Sequence, residues 1–478
     1  MTQFLDKRFH IRQCGSSVRT EVIAGITTFM AMAYILMVNA NMFSDPFGTG
    51  ENVLGVSYGA VYIATAISAV FGTLLLGLLS NLPLAQAAGM GINAFFVYTC
   101  CIQFKLSYAN ALVCVLFDGV IFLILTVTGL RRLIFESIPK SVKAAISAGI
   151  GLFIAFLGLQ NAKIVVANES TLVDLASFNI LRGDATWAEV MPLLITIFAV
   201  LAIAVMSKRR VRGAVLWGIL GGAAAYYFLG LTTVRGFYAA QIEPNLSGDF
   251  FRSFREFGAQ SLGKVFAEGF DFHNYIGEHG TTDFIIMFVT TMLAFCMVDM
   301  FDTLGALYGA CAAGHLLTPD GEVPHMDKAM LSDAVATCVG AAVGTSTVTT
   351  FVESAAGVGE GGRTGFSSVV TAGFFFIAMF LSPIAALIPG CATAAALIYV
   401  GVLMIGGVKT IDWEDPAAAV PAFLTMAMMP FSYNISYGIA FGLISYVVIH
   451  AFTGRLREIN IGTWIITLLF TVMFFVSR

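Results

Sequence analysis

Long apolar runs broken by short polar ones dominate this chain. Uncharged stretches fill 22 to 44, 53 to 80, 144 to 162, 190 to 207 and 213 to 234. Each is close to the roughly 20 residues that a helix needs to cross a hydrocarbon core. No residue between Thr364 and Val408 is charged, which is length for two passes with Pro383 and Pro389 at the turn. From Pro416 to Gly454 only His450 can carry charge. A membrane β-barrel would show short alternating segments instead. The pattern predicts an all-α polytopic membrane protein with fourteen main transmembrane segments, and the terminal stretch INIGTWIITLLFTVMFF is either one more pass or an interfacial segment.

Composition agrees with the pattern. Of 478 residues, 58% are hydrophobic and 11% charged, with a mean hydropathy of +0.86. Such a chain has too few charges to cover a soluble surface. The eight cysteines sit mostly in apolar surroundings with no CxxC pair, which fits packing better than metal ligation or disulfides. No metal and no cofactor is expected. A net charge of −4 argues little about partners, and no nucleic-acid partner is expected.

The distribution of charge says more. The start is polar and basic with no signal-peptide core, so the first helix is expected to insert the chain. Lys and Arg favour the cytoplasmic side of short loops. With the N-terminus cytoplasmic, RRLIFESIPKSVK and SKRRVR fall on that side, as do Arg363, Lys409, Arg455 and Arg457. The stretch 163–189, with Glu169, Asp174, Asp184 and Glu189, then lies outside. The expected location is a cell membrane, plasma or inner, with the lipid bilayer as the first partner.

Three internal matches appear in the same order. TTFMAMAYILMVNA from Thr27 lies over TTMLAFCMVDMFDT from Thr290 without a gap, which sets Asn39 opposite Asp302. AAGMG at Ala87 matches AAGVG at Ala355, and IPKSVKAAISAGIGLFI from Ile138 matches IPGCATAAALIYVGVLMI from Ile388. Seven spans per copy make the copies antiparallel, the inverted-repeat plan of many secondary transporters. The expected organisation is a cytoplasmic N-terminus 1–18, a first repeat 19–232, an extracytoplasmic connecting loop 233–281, a second repeat 282–454 and a C-terminal apolar segment 455–478.

The stretch TFVESAAGVGEGGRTG, residues 350 to 365, sets carboxylates and bare backbone between apolar runs. Glycines weaken a helix by about 1 kcal/mol each relative to Ala, and the preceding STVTT favours extended backbone. A short extended piece turning into a half-helix is expected here and, by the shared Ala-Ala-Gly core, at LAQAAGMGINAFF. Two such broken helices meeting at the midplane would present free N–H groups together with Glu353, Ser354 and Asn93 to one ligand. A charge at the centre of a membrane helix costs about 2.5 to 3.5 kcal/mol, so such residues tend to face a cavity. Asp299 and Asp302 share one helix face at i, i+3 spacing, and Asp302, mirrored by Asn39, is the stronger candidate. Asp118 is intramembrane with a proton-path or structural role. Glu360 and Arg363 read as a snorkelling or loop ion pair.

GMGINAFF, DTLGALYGA, TFVESAAGVGEGGRTG and LSPIAALIPGCATAAALIYVGVLM resemble the signature segments of the AzgA-like adenine, guanine and hypoxanthine permeases, proton-coupled nucleobase transporters. The resemblance runs from about Gly15 to the C-terminus. It implies the uracil-permease-type fold, split into a core domain, here 19–130 and 282–388, and a gate domain, here 139–232 and 390–454. It implies substrate contact by Asp302, Glu353 and Asn93. Where the family usually reads Val-Asn-Pro, this chain has VNAN at Val38 to Asn41, which leaves the helix break expected there without its proline.

The expected function is import of hypoxanthine, guanine or adenine by proton symport, with alternating access between core and gate and no enzymatic activity. A purine edge offers N–H donors and carbonyl or ring-nitrogen acceptors. Carboxylates, helix-start N–H groups and a carboxamide answer them. The expected substrate-binding residues are Glu353, Asp302, Asn93, Ser354 and Asn39, with Glu353 or Asp302 carrying the coupling proton. Phe95, Phe96 and Phe351 either stack on the base or simply pack. An anion transporter or channel on the same fold is the alternative, opposed by a carboxylate where an anion would sit. An intramembrane enzyme lacks any HExxH, GxSxG or metal cluster. The sequence leaves a homodimer open.

Overall fold

The computed structural model describes residues 2–129, 138–238, 251–318 and 322–476. Most of the basic stretch after Gly129, residue 130 of the expected core domain, and 239–250 of the connecting loop lie outside the described residues. Among the described residues, nine helices are long and apolar enough to cross a membrane, and four shorter apolar helices join them. The protein is a helical membrane protein.

Short polar residues start these helices. Ser17, Ser57, Ser107 and Asn434 each accept a hydrogen bond from a backbone N–H of the turn they open, at Thr20, Ala60, Asn110 and Tyr437. They thereby satisfy donors that a helix start leaves open. The first membrane segment is interrupted at Ala33, between helices Val18–Met32 and Tyr34–Ser44. Helix continues through Val38 to Asn41, as expected once the proline is missing. The stretch from 282 to 314, whose sequence leaves room for a boundary, is one helix of 33 residues, Thr281–Ala313. Pro383 and Pro389 do lie in the turn region between helices Gly365–Met379 and Gly390–Met404, with a single short turn of helix, Ser382–Ala385, between them.

The connecting loop contains the short helices Arg252–Gln260, Lys264–Ala267 and His273–His279. It is tied down: Asn110 donates to the carbonyls of Gly269 and Asp271 at 2.8 Å each, and Gly263 N–H donates to Ala342 O at 2.8 Å.

Two three-residue strands sit in the interior. Gln86–Ala88 pairs antiparallel with Val348–Thr350, Gln86 facing Thr350 and Ala88 facing Val348. Gly89 N–H to Thr347 O and Phe351 N–H to Ala85 O, both 3.0 Å, extend the ladder. All six strand residues are buried. Extended backbone inside a membrane has no water to bond, so each strand answers the other's polar groups. Each strand leads directly into helix: Met90–Ala94, continued as a π-helix over Phe95–Gln103, and the turn Val352–Ser354, continued as Ala355–Gly359.

Packing of the long helices relies on small residues. A Cβ on Gly365 would meet the carbonyl of Gly77, and a Cβ on Gly401 would meet the carbonyl of Gly151. The backbones of helices 58–80 and 365–379, and of 140–161 and 390–404, therefore touch, which is how membrane helices gain contact without a hydrophobic drive.

Candidate functional site

The segments that follow the two strands open onto one cavity of about 640 Å³. Met90 and Gly91 line it from the first, and Thr350 to Glu353 from the second. The long helix 281–313 adds Phe301 and Asp302, and Tyr34 faces in from the segment that breaks at Ala33. Across the cavity stand Ser147, Val400 and Met404, on the pair of helices that touch at Gly151 and Gly401, and Lys140 and Lys143 complete that side.

Glu353 and Asp302 are half-buried and line the same cavity wall. Tyr34 Oη donates to Glu353 Oε1 at 2.8 Å, which fixes one carboxylate oxygen. The pair combines acceptors for a ligand's N–H groups with the aromatic face of Phe351 nearby. Phe95 and Phe96, expected either to stack on a base or to pack, do pack: their rings lie 4.8 Å from Phe295 and 4.9 Å from Phe43.

The other three expected contacts lie behind the wall, each fully buried. Asn93 donates to Ala88 O at 3.4 Å and accepts from Ser346 Oγ. Ser354 Oγ accepts from Ala85 N–H at 3.0 Å. Asn39 donates to Thr65 at 2.7 Å and Thr345 at 3.1 Å. All three bond the strand segments or the turns beside them, and none lines the cavity. Side-chain amides and hydroxyls beside irregular backbone are as useful to that backbone as to a ligand.

Glu360 and Arg363 do not pair with each other. Glu360 takes Arg212 in a bidentate ion pair, while Arg363 donates to Val358 O and Gly362 O. Glu21, fully buried, accepts from the N–H groups of Arg363 and Thr364 and from Ser367 Oγ, tying the glycine-rich turn to the first helix.

Two residues, one on the cavity wall and one buried outside its lining, were not singled out from the sequence. Tyr34 gives no signal in an apolar run. Asp333 does, since an intramembrane carboxylate invites a functional reading. It accepts from Gln86, Thr303 and Thr350 at 3.0, 2.6 and 3.4 Å.

A family model described as "Permease family" matches residues 19–441. Adenine permease AdeP of Escherichia coli is 35% identical over 466 residues, 98% of this chain and 95% of that one. Guanine/hypoxanthine permease PbuG of Bacillus subtilis is 36% identical over 453 residues, 95% of each chain. Among solved structures, the transmembrane domain of the cyanobacterial bicarbonate transporter BicA superposes with a TM-score of 0.59 at 13% identity, over 88% of this chain and 97% of that one.

Proposed function

The chain belongs to this permease family, and on that premise we propose that it imports a purine nucleobase together with a proton. The family consists of permeases rather than enzymes, so the cavity is a transport site. The observation that carries the reading is the cavity wall itself: Glu353, oriented by Tyr34, beside Asp302, at the start of a strand-to-helix segment. Two carboxylates suit the N–H edge of a purine and repel an anion, which disfavours the anion-transport alternative.

In this reading Glu353 and Asp302 contact the base and one of them carries the coupling proton. Asn93, Ser354 and Asn39 keep the two strand-led segments in register and act on the base through them. The strand-led segments are two broken helices at the midplane. The fold is fourteen spans in a seven-plus-seven inverted repeat, with 233–281 as its join. Support comes from element order: with 18–32 and 34–44 counted as one segment, Ser382–Ala385 counted with its neighbour and the hairpin of 165–168 and 172–175 set aside, helix, helix, strand, short helix, then four more apolar helices, run from 18 to 233 and again from 281 to 452.

The core domain is 19–130 and 282–388 and the gate is 139–232 and 390–454, moving against each other in alternating access. The reading draws support from packing: helix 365–379 lies on 18–32 and 58–80, while 390–404 and 416–432 lie on 140–161. The N-terminus is cytoplasmic and the protein sits in the cell membrane, so Lys140 and Lys143 mark the inward mouth. A homodimer through the gate domains belongs to the same proposal.

The test is uptake of radiolabelled hypoxanthine, guanine, adenine, xanthine and uracil into proteoliposomes, with and without an inward proton gradient. Accumulation of one purine that collapses with the gradient is the expected result. Equal, non-accumulating entry with and without the gradient would sink the symport part, and no uptake by folded protein would sink the whole.

A further inference from the structure

The cavity is charged unevenly. Among the described residues its acidic lining is Asp302 and Glu353, both on the proposed core, and its basic lining is Lys140 and Lys143, both on helix 140–161 of the proposed gate. Lys140 is exposed and Lys143 half-buried. The purine reading uses the acidic wall alone. It leaves much of the cavity's volume of about 640 Å³ without a role, because one bicyclic base is a small ligand for a space of the size that takes drug-sized molecules.

One helix gives the spacing between the two charged ends. A Cβ on Gly91, which lines the cavity at the start of the first strand-led helix, would meet the side chain of Ile150. Ile150 therefore marks the level of that segment on helix 140–161. Lys143 precedes it by seven residues, about 10 Å of rise, and Lys140 by ten, about 15 Å. Ser147 lies between Lys143 and Ile150 on the same face. Its hydroxyl lines the cavity and donates to Met404 O over a long 3.4 Å. A ligand that answers both ends carries N–H donors at one end, hydroxyls in the middle and an anion about 10 Å away by the same helix rise. Base, ribose and phosphate follow one another in that order in a purine nucleoside 5′-monophosphate. Lysine ammonium groups bind phosphate well, and the two carboxylates repel it, so the molecule enters base first.

We propose that this cavity binds a purine nucleoside 5′-monophosphate, with its base against Asp302 and Glu353 and its phosphate on Lys140 and Lys143, and that the bound nucleotide inhibits import. A molecule held by both walls ties core to gate, the two bodies that must move past each other. A base alone leaves the lysines unengaged and the bodies free to move. The inhibition rests on the import reading and on the cytoplasmic mouth proposed above; the binding site does not.

Isothermal titration calorimetry of the full chain in lipid nanodiscs, with hypoxanthine, guanine and adenine, their nucleosides and their 5′-monophosphates, tests the site. At least one monophosphate is expected to bind at least tenfold more tightly than its own nucleoside and to displace the radiolabelled base. Lys140→Gln combined with Lys143→Gln is expected to cut that advantage to less than twofold, and added salt to narrow it in wild type. A monophosphate no tighter than its nucleoside overturns the proposal, as does an advantage that survives in the double variant. Ribose 5-phosphate binding as tightly as the nucleotide overturns it too, since the base would then contribute nothing at the carboxylate wall. Should the double variant not fold, each single variant must reduce the advantage, and an advantage intact in both overturns the proposal equally. Right-side-out membrane vesicles loaded with the monophosphate are expected to take up base at least fivefold more slowly than vesicles loaded with inorganic phosphate; equal uptake overturns the inhibition. Base binding without nucleotide binding removes this inference and leaves the purine reading. Nucleotide binding with no base uptake by any vesicle removes the import reading and the inhibition together, while the binding site stands.

Discussion

The hydroxyl of Tyr34 holds one carboxylate oxygen of Glu353, and both residues line the cavity. Removing a hydrogen bond to a charged group costs about 1.5 to 3 kcal/mol, so Tyr34→Phe is expected to weaken base binding about tenfold or more. Competition for uptake, with transport rate followed at saturating base, measures it; an unchanged affinity would mean that Glu353 is oriented by something else. Glu353→Gln and Asp302→Asn are expected to abolish accumulation against a gradient, and the one that carries the proton is the one whose variant also ceases to acidify the vesicle lumen. These two residues were legible in the sequence because a carboxylate in an apolar run has few reasons to be there. Asn93, Ser354 and Asn39 lie off the cavity wall, and sequence alone could not tell this, because an uncharged polar side chain serves buried irregular backbone as readily as it serves a ligand. Tyr34 was illegible, since its role comes from a partner 319 positions away.

At the level of elements, close backbone approach carries the packing. Gly401→Leu would drive a side chain into the carbonyl of Gly151. Overpacking of that kind costs about 1 to 3 kcal/mol, so a clear loss of thermal stability in detergent is expected, whereas Gly373→Ala, with open space around it, should change little. Helix Pro416–Ser432 gives a pH test outside the spans. Asp415 caps it by accepting from Ala417 N–H at 2.9 Å, and Arg455 approaches the other oxygen at 3.3 Å. The backbone bond above all, with Arg455 adding to it, holds this carboxyl below the usual carboxylate range. A depressed pKa means the cap is fully present above the ordinary value and is lost as pH falls through the lower one. Amide exchange at 417–419, corrected for intrinsic rates, should rise only in that acidic window, and Asp415→Asn should remove the pH dependence. Extended backbone at STVTT was readable from its β-branched run. Its partner was reached only through the repeat: LAQAA has no strand signature of its own, and it is extended because a lone strand in the interior has nowhere else to bond.

The whole molecule is held by contacts of very different weight. The Arg212–Glu360 ion pair is partly exposed, and pairs of that kind are worth about 1 kcal/mol or less. Arg212→Gln should therefore leave the melting temperature nearly unchanged, a result that differential scanning fluorimetry would show. The strand pair weighs more, because Gln86 and Thr350, 264 positions apart, are brought together by it. This has a bearing on how the protein is made. Until the ribosome has delivered residue 350, the segment around Gln86 sits in or near the bilayer with polar backbone unanswered. The nascent chain thus needs shelter at the insertion machinery until its second half arrives. A chain cut after residue 280 should be degraded in cells, and supplying the remaining half from a second message should rescue both pieces.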